Sequence, residues 1–321
     1  MDLPVRSAGT HNPRMGSRRG ALLVWAGFVA MCSVWGTTWL AIRIGDRTIP
    51  PLTGVGLRFV IAGLFLYALA ALRGRLVPPR AVPWRIVGVF AVTMCSLNYV
   101  LIYLAETRID SGLAAVLFST FPFFVFAFAR VLIGERVGAR GWIGGAVAFG
   151  GIAVIALHGV LGRSPWLGLG VVAAAAISAF GNVYAKRAGA QPPLVTLPPA
   201  MLLGGGVVLV VGLALERPNL ALALGGPALG ALMYLALVGS GVTFLLLMWL
   251  THRLPAAIFG LPPLTYPLTA LSAGALLGGE HVTGRELAGA ALVVAGLAIA
   301  LVPRLYVRPG TIGEVRGSQT V

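Results

Sequence analysis

Charged residues divide this chain into uncharged stretches of nearly constant length. Twenty-three residues separate Arg19 from Arg43, 20 separate Arg85 from Glu106, 19 separate Asp110 from Arg130, and 22 separate Arg140 from Arg163. A helix rises about 1.5 Å per residue, so about 20 apolar residues cross the roughly 30 Å hydrocarbon core of a bilayer. The same length recurs along the whole chain, which predicts an all-α integral membrane protein. Composition agrees. Of the 321 residues, 58% are hydrophobic and only 10% charged, against about 25% charged in a soluble domain.

Ten spans are expected, at about 20–42, 50–72, 84–105, 111–130, 141–158, 166–186, 194–215, 228–250, 255–278 and 285–303. Proline and glycine punctuate the gaps, as in Pro78-Pro79, Pro192-Pro193 and Gly225-Gly226-Pro227. Residues 1–19 read as a basic cytoplasmic tail and 304–321 as a second one. Ser17-Arg18-Arg19 has the outline of a twin-arginine export signal. A cleaved signal has an apolar core of about 7–15 residues, whereas this one has 23.

The net charge of +15 would suggest nucleic acid in a soluble protein. Here the arginines fall in short loops, where basic residues mark the cytoplasmic side. With the N-terminus inside, 17 basic residues lie inside and 6 outside, Arg58 being within a span. Both termini are therefore expected in the cytoplasm. The expected partners are the lipid bilayer and a small-molecule substrate, with no nucleic acid. The oligomeric state stays open, a monomer included. Cys32 and Cys95 fall within spans and read as buried thiols. No metal or cofactor spacing is present.

One segment recurs. "STFPFFVFAFARVLIGERV" from Ser119 and "LTYPLTALSAGALLGGEHV" from Leu264 share a Thr-x-Pro and a Gly-Glu at the same spacing. A single shift of 145 residues maps Arg108 onto Arg253, Pro122 onto Pro267, Glu135 onto Glu280 and Arg140 onto Arg285. It also maps Gly144 onto Gly289, Gly151 onto Gly296, and Trp35-Gly36 onto Phe180-Gly181. Each half, 20–158 and 164–303, holds five spans. An odd number makes the second half enter from the opposite side, giving two inverted five-helix repeats. Inverted repeats are a recurring plan of secondary transporters, with the substrate site near the midplane between them.

"WGTTWLAIRIG", "PPLTGVGLRFVIAGLFL", "SGLAAVLFSTFPFF" and the doubled Gly-Glu resemble the EamA-type drug/metabolite transporter superfamily. The resemblance covers roughly 21–303 and is closest to the bacterial inner-membrane exporter branch. It implies ten helices, two EamA repeats and export of small metabolites such as amino acids or related compounds.

Site candidates are the polar and aromatic groups at span depth, which are costly against lipid unless they face a cavity or each other. They are Trp35, Thr38 and Trp39 in the first span; Asn98, Tyr99 and Tyr103 in the third; Phe180, Asn182 and Tyr184 in the sixth; and Thr243 and Trp249 in the eighth. Few fixed charges and many rings suit a neutral, zwitterionic or amphipathic solute. Arg58 is the one intramembrane charge, expected to serve as a gate or an anion contact, or as a tie to helix-end carbonyls. Pro122 and Pro267 are expected to bend their helices. Glu135 and Glu280 are expected to act as structural acids at helix ends, meeting nearby arginines or exposed amides.

No acid sits within a span, which favours facilitated export or exchange over proton antiport. Two other classes compete. An intramembrane enzyme needs a buried nucleophile beside a buried base, but His11, His158, His252 and His281 lie at tails or span ends. A channel is disfavoured by the inverted repeat and the lack of charged rings.

Overall fold

The structure, a computed structural model, describes residues 18–109, 111–156, 165–219, 225–266, 268–269 and 283–305. Its secondary structure among these residues is helical, with no strand. In chain order the helices are α1 (Arg18–Gly45), α2 (Pro51–Leu72), α3 (Trp84–Met94), α4 (Leu97–Glu106), α5 (Ser111–Phe118), α6 (Phe121–Ile133), α7 (Ala139–Ala156), α8 (Pro165–Arg187), α9 (Pro193–Glu216), α10 (Gly226–Met233), α11 (Thr243–Thr251), α12 (Ala256–Phe259) and α13 (Gly284–Leu305). A π-helical stretch, Tyr234–Val242, joins α10 to α11, and a 3-10 turn, Pro262–Thr265, follows α12.

Six segments are long and apolar enough to cross a membrane: Gly20–Gly45, Pro51–Leu72, Trp84–Glu106, Trp166–Arg187, Pro193–Glu216 and Gly226–Thr251. Shorter apolar helices cover Phe121–Ile133, Ala139–Val154, Ala256–Thr265 and Leu287–Ala300. Leu72, Val131, Val210, Leu215 and Trp166 face outward, exposed. An outside of this kind needs lipid around it. Trp84 and Trp166 stand at or beside helix starts, where indole rings suit the membrane–water interface.

Expected spans become broken helices at three places. The third splits at Cys95–Ser96, where the Ser96 hydroxyl donates to the Ala91 carbonyl and competes with the helix ladder. The fourth splits at Ser119–Thr120, because Pro122 has no N–H to return to Phe118. The ninth starts as α12, breaks at Gly260–Leu261 before Pro262-Pro263, and is described only as far as residue 269. Gly134 ends α6 in the left-handed conformation, φ 67°, which a side chain would strain.

Two long helix pairs cross the molecule, α2 against α9 and α7 against α13. The 145-residue shift carries α2 onto α9 and α7 onto α13, so each pair joins counterparts. A Cβ on Gly144 would lie 2.6 Å from the Gly296 carbonyl oxygen, and a Cβ on Gly151 would lie 2.6 Å from that of Gly289. The same shift exchanges these two contacts. Glycine is required because the backbones approach this closely, the usual basis of helix association in lipid. The other helices complete the core: α3, α4 and α6 pack on α8, while α1 packs on α10 and α11.

Candidate functional site

All three helix breaks face one central cavity. Met94 and Asn98 flank the first break on its wall, Phe118 and Phe121 the second, and Phe259 and Pro262 the third. Irregular backbone is tolerated at membrane depth where it borders a cavity. α1 supplies Trp35, Thr38, Trp39 and Ile42, α8 supplies Ser178 and Asn182, and α11 supplies Phe244 and Leu247.

Rings dominate the wall. Trp39 meets Phe118 at 5.9 Å and Tyr266 at 6.2 Å between centroids, and Phe118 stacks on Phe121. Trp35 meets Phe244 edge-on and donates its Nε1 proton to the Gly239 carbonyl. The polar groups are few. Asn98 Nδ2 donates to Ser178 Oγ at 2.9 Å, Asn182 Nδ2 donates to the Ser178 carbonyl, and Thr38 donates to the Trp35 carbonyl. Asn98 Oδ1 is buried without a partner. An aromatic box with a small amide-rich patch can hold an organic solute by its body and orient it at one end.

Trp35, Thr38, Trp39, Asn98, Tyr99 and Asn182 therefore come together on the wall. Five other candidates lie elsewhere. Tyr103 is buried beside a smaller pocket, shared with Asp46, Gly54 and Leu232. Phe180 and Tyr184 stack on each other, and Phe180 also packs on Phe128. Thr243 is buried and donates to the Val238 carbonyl within the π-helical stretch. Trp249 lies under the Arg253 guanidinium at 4.4 Å. Pro122 is buried in α6 at the second break. Pro267 and Glu280 lie outside the described residues.

Arg58 is fully buried. Its Nε donates to Ser240 Oγ at 2.8 Å and its Nη1 to Tyr103 Oη at 3.4 Å, while Nη2 has no partner. The guanidinium carbon lies 4.5 Å from the Tyr99 ring centroid and 5.5 Å from that of Phe59.

At the end of α6, Glu135 uses both oxygens. Oε2 accepts from Lys186 Nζ at 2.6 Å, and Oε1 accepts from the Ala256 amide, the first of α12, at 2.7 Å. Lys186 also donates to the Leu254 carbonyl and lies over the Phe259 ring. Phe259 is on the cavity wall, so this node stands beside the cavity. On the opposite face, Glu216 at the end of α9 caps the start of α2. It accepts from the Leu52 and Thr53 amides and the Thr53 hydroxyl, each at 2.8 Å. Asp46 lies nearby, with Oδ2 buried and unbonded. Burial first, and the Glu216 charge second, push its carboxyl up to about 8.

The sequence pointed at none of Phe118, Phe121, Phe244, Phe259 or Tyr266 as cavity residues, because apolar rings carry no mark of which face they line. Lys186 could have been noticed as the only lysine in the chain.

Comparison with known proteins follows this geometry. The model of the EamA-like transporter family matches twice, at residues 20–157 and 166–302. The inner membrane transporter YedA of Escherichia coli is 30% identical over 275 residues, covering 84% of this chain and 87% of YedA. Protein PagO of Salmonella typhimurium is 28% identical over 290 residues, 86% of this chain and 92% of PagO. An Escherichia coli protein named "Probable amino-acid metabolite efflux pump" is 26% identical over 285 residues, 83% of this chain and 90% of that one. A solved crystal structure shares the fold, with a TM-score of 0.75 and 21% identity, covering 91% of this chain and all of that one.

Proposed function

Since the chain belongs to the EamA-like transporter family, and is thus a multi-pass membrane transporter rather than an enzyme, we propose that it exports a small organic metabolite by alternating access. Its working parts are two inverted five-helix halves, 20–158 and 164–303, in the inner membrane, with both termini in the cytoplasm. The observation that carries this reading is the central cavity, whose wall takes residues from both halves. A site shared between two exchangeable halves faces one side or the other as the halves rock.

Three further observations support it. The six long apolar segments and four shorter ones fit ten spans. The exchanged Gly144–Gly296 and Gly151–Gly289 contacts fit a pseudo-twofold axis. The Glu135–Lys186–Ala256 node joins the halves beside the cavity, as a closed gate does.

The cargo is an amino acid, a related compound or an amphipathic drug-like molecule. The aromatic wall suits its body, and the name of one relative concerns amino-acid metabolites. No acid reaches the cavity wall among the described residues, which favours facilitated export or exchange over a proton relay. The test compares extracellular metabolites of cells overexpressing the wild type or Asn98→Ala. A metabolite pool enriched by the wild type alone supports the reading, and identical pools contradict it.

A further inference from the structure

Arg58 is a charge without an anion. It has no exposed surface, and it lies about 10 Å into α2 from Pro51 at about 1.5 Å per residue. A guanidinium offers five N–H donors. Here one goes to a serine and one to a tyrosine, and both partners are neutral. No carboxylate bonds to Arg58 among the described residues. Nη2 is left with no acceptor. An intramembrane cation normally meets a counter-charge or a watery cavity, and a buried charge lacking a partner is strongly unfavourable.

The guanidinium also stands next to the cavity. Tyr99, on the cavity wall, covers one face of it at 4.5 Å. Beside Nη2 the backbone is bare. A Cβ at Gly239 would lie 3.6 Å from Nη2 and 3.0 Å from the Thr38 methyl. The bare glycine lets Thr38, another wall residue, pack close beside the unpartnered nitrogen, and a methyl at Gly239 would crowd both. Gly239 and Ser240 belong to the π-helical stretch, a local form frequent at functional sites. On the same wall, Asn98 Oδ1 is a buried acceptor with no donor. An unpartnered donor and an unpartnered acceptor flank Tyr99, in sequence on one side and in space on the other.

We propose that Arg58 is the receptor for a carboxylate on the cargo, reached from the cavity when the Tyr99 ring swings off its face. This rests on the carrier reading above and narrows its substrate class to organic carboxylates with an apolar or aromatic body. The planar fork of Arg58 takes the carboxylate through Nη2, the rings of the cavity hold the body, and Asn98 Oδ1 accepts from any N–H or O–H the cargo carries. In the empty carrier Tyr99 stands in for the anion as a cation–π partner.

The probes are phenylacetate and its neutral isostere phenylacetamide, titrated calorimetrically into the full chain in lipid nanodiscs. The wild type binds the acid at least about tenfold more tightly than the amide, as expected for a charge-assisted contact. Arg58→Gln reduces that ratio to about one without weakening the amide. Gly239→Ala, which leaves the charge in place and sets a methyl 3.6 Å from Nη2, weakens the acid more than the amide, and it keeps the test decisive if Arg58→Gln fails to fold. Equal binding of acid and amide by the wild type, tighter binding of the amide, or no binding of phenylacetate overturns the proposal. So does an acid preference that survives both variants. The carrier reading fails by a different result, namely overexpression that changes no extracellular metabolite.

Discussion

Lys186 Nζ donates to Glu135 Oε2 across 2.6 Å, joining the end of α8 to the end of α6. Glu135 belongs to the first repeat and Lys186 to the second, so the bond ties the two halves. Because this is the only lysine in the chain, amine labelling reports on this one bond. Glu135→Gln is expected to raise the rate of amine-specific labelling of Lys186 about threefold to tenfold, matching the roughly 1 kcal/mol of a half-exposed charge-assisted bond. Mass spectrometry of the labelled peptide reads the change. An unchanged rate shows that the pair holds nothing closed.

Glu216 is expected to hold the start of α2 in place. Its carboxylate accepts two backbone amides and one hydroxyl there, groups the helix cannot satisfy itself. Glu216→Ala should cost about 1–2 kcal/mol, the range for a lost N-cap. Glu216→Gln should cost less, since one acceptor oxygen remains. Thermal unfolding in detergent micelles measures both.

Asp46 gives stability a pH dependence. Its carboxyl is pushed up to about 8 in the fold, by burial and then by Glu216, against about 3.9 in an unfolded chain. The folded protein therefore binds more protons between those values. The Asp46 contribution is fully present below about pH 4 and is lost as pH rises toward 8. Asp46→Asn should flatten the unfolding temperature across that window and make the variant the more stable form above pH 8. A wild-type curve that rises through the window contradicts this.

The crossing of α7 and α13 tolerates no side chain at its centre. Gly151→Leu should destabilise by about 1–3 kcal/mol or more, because the new atoms meet the Gly289 carbonyl and Val293 backbone. Gly150→Ala next to it is the control. A Cβ there meets nothing within 4 Å, and alanine is the better helix former. Equal melting of the two variants would remove the close crossing from the account.

Much of this was legible in the sequence. Bilayer length and charge spacing anticipated the six long apolar segments to within a few residues, because charges within the hydrocarbon are costly and so rare. The 145-residue register matched Gly144 with Gly289 and Gly151 with Gly296, but it did not say that counterpart helices would cross each other. Trp35, Thr38, Asn98 and Asn182 were findable as polar or amphipathic groups at span depth. Tyr103, Thr243 and Trp249 looked the same in sequence but sit elsewhere, because every helix face at that depth is apolar and depth alone does not name a face. The breaks at Ser96 and Ser119–Thr120 depend on one side-chain bond and one missing N–H. Glu216 was readable as a helix-end acid, but its partners lie 163 and 164 residues away.

The central claim is that one cavity serves two sides in turn, and exchange tests it most directly. Proteoliposomes carrying the purified chain are loaded with a concentrated unlabelled bacterial metabolite extract and diluted into a weak solution of the same extract labelled with heavy isotopes. The account predicts that one compound, or a few of related chemistry, enters in labelled form only when its unlabelled counterpart is inside, overshooting equilibrium before it decays. Labelled entry that ignores the internal pool would indicate a channel, and no labelled entry would contradict transport altogether.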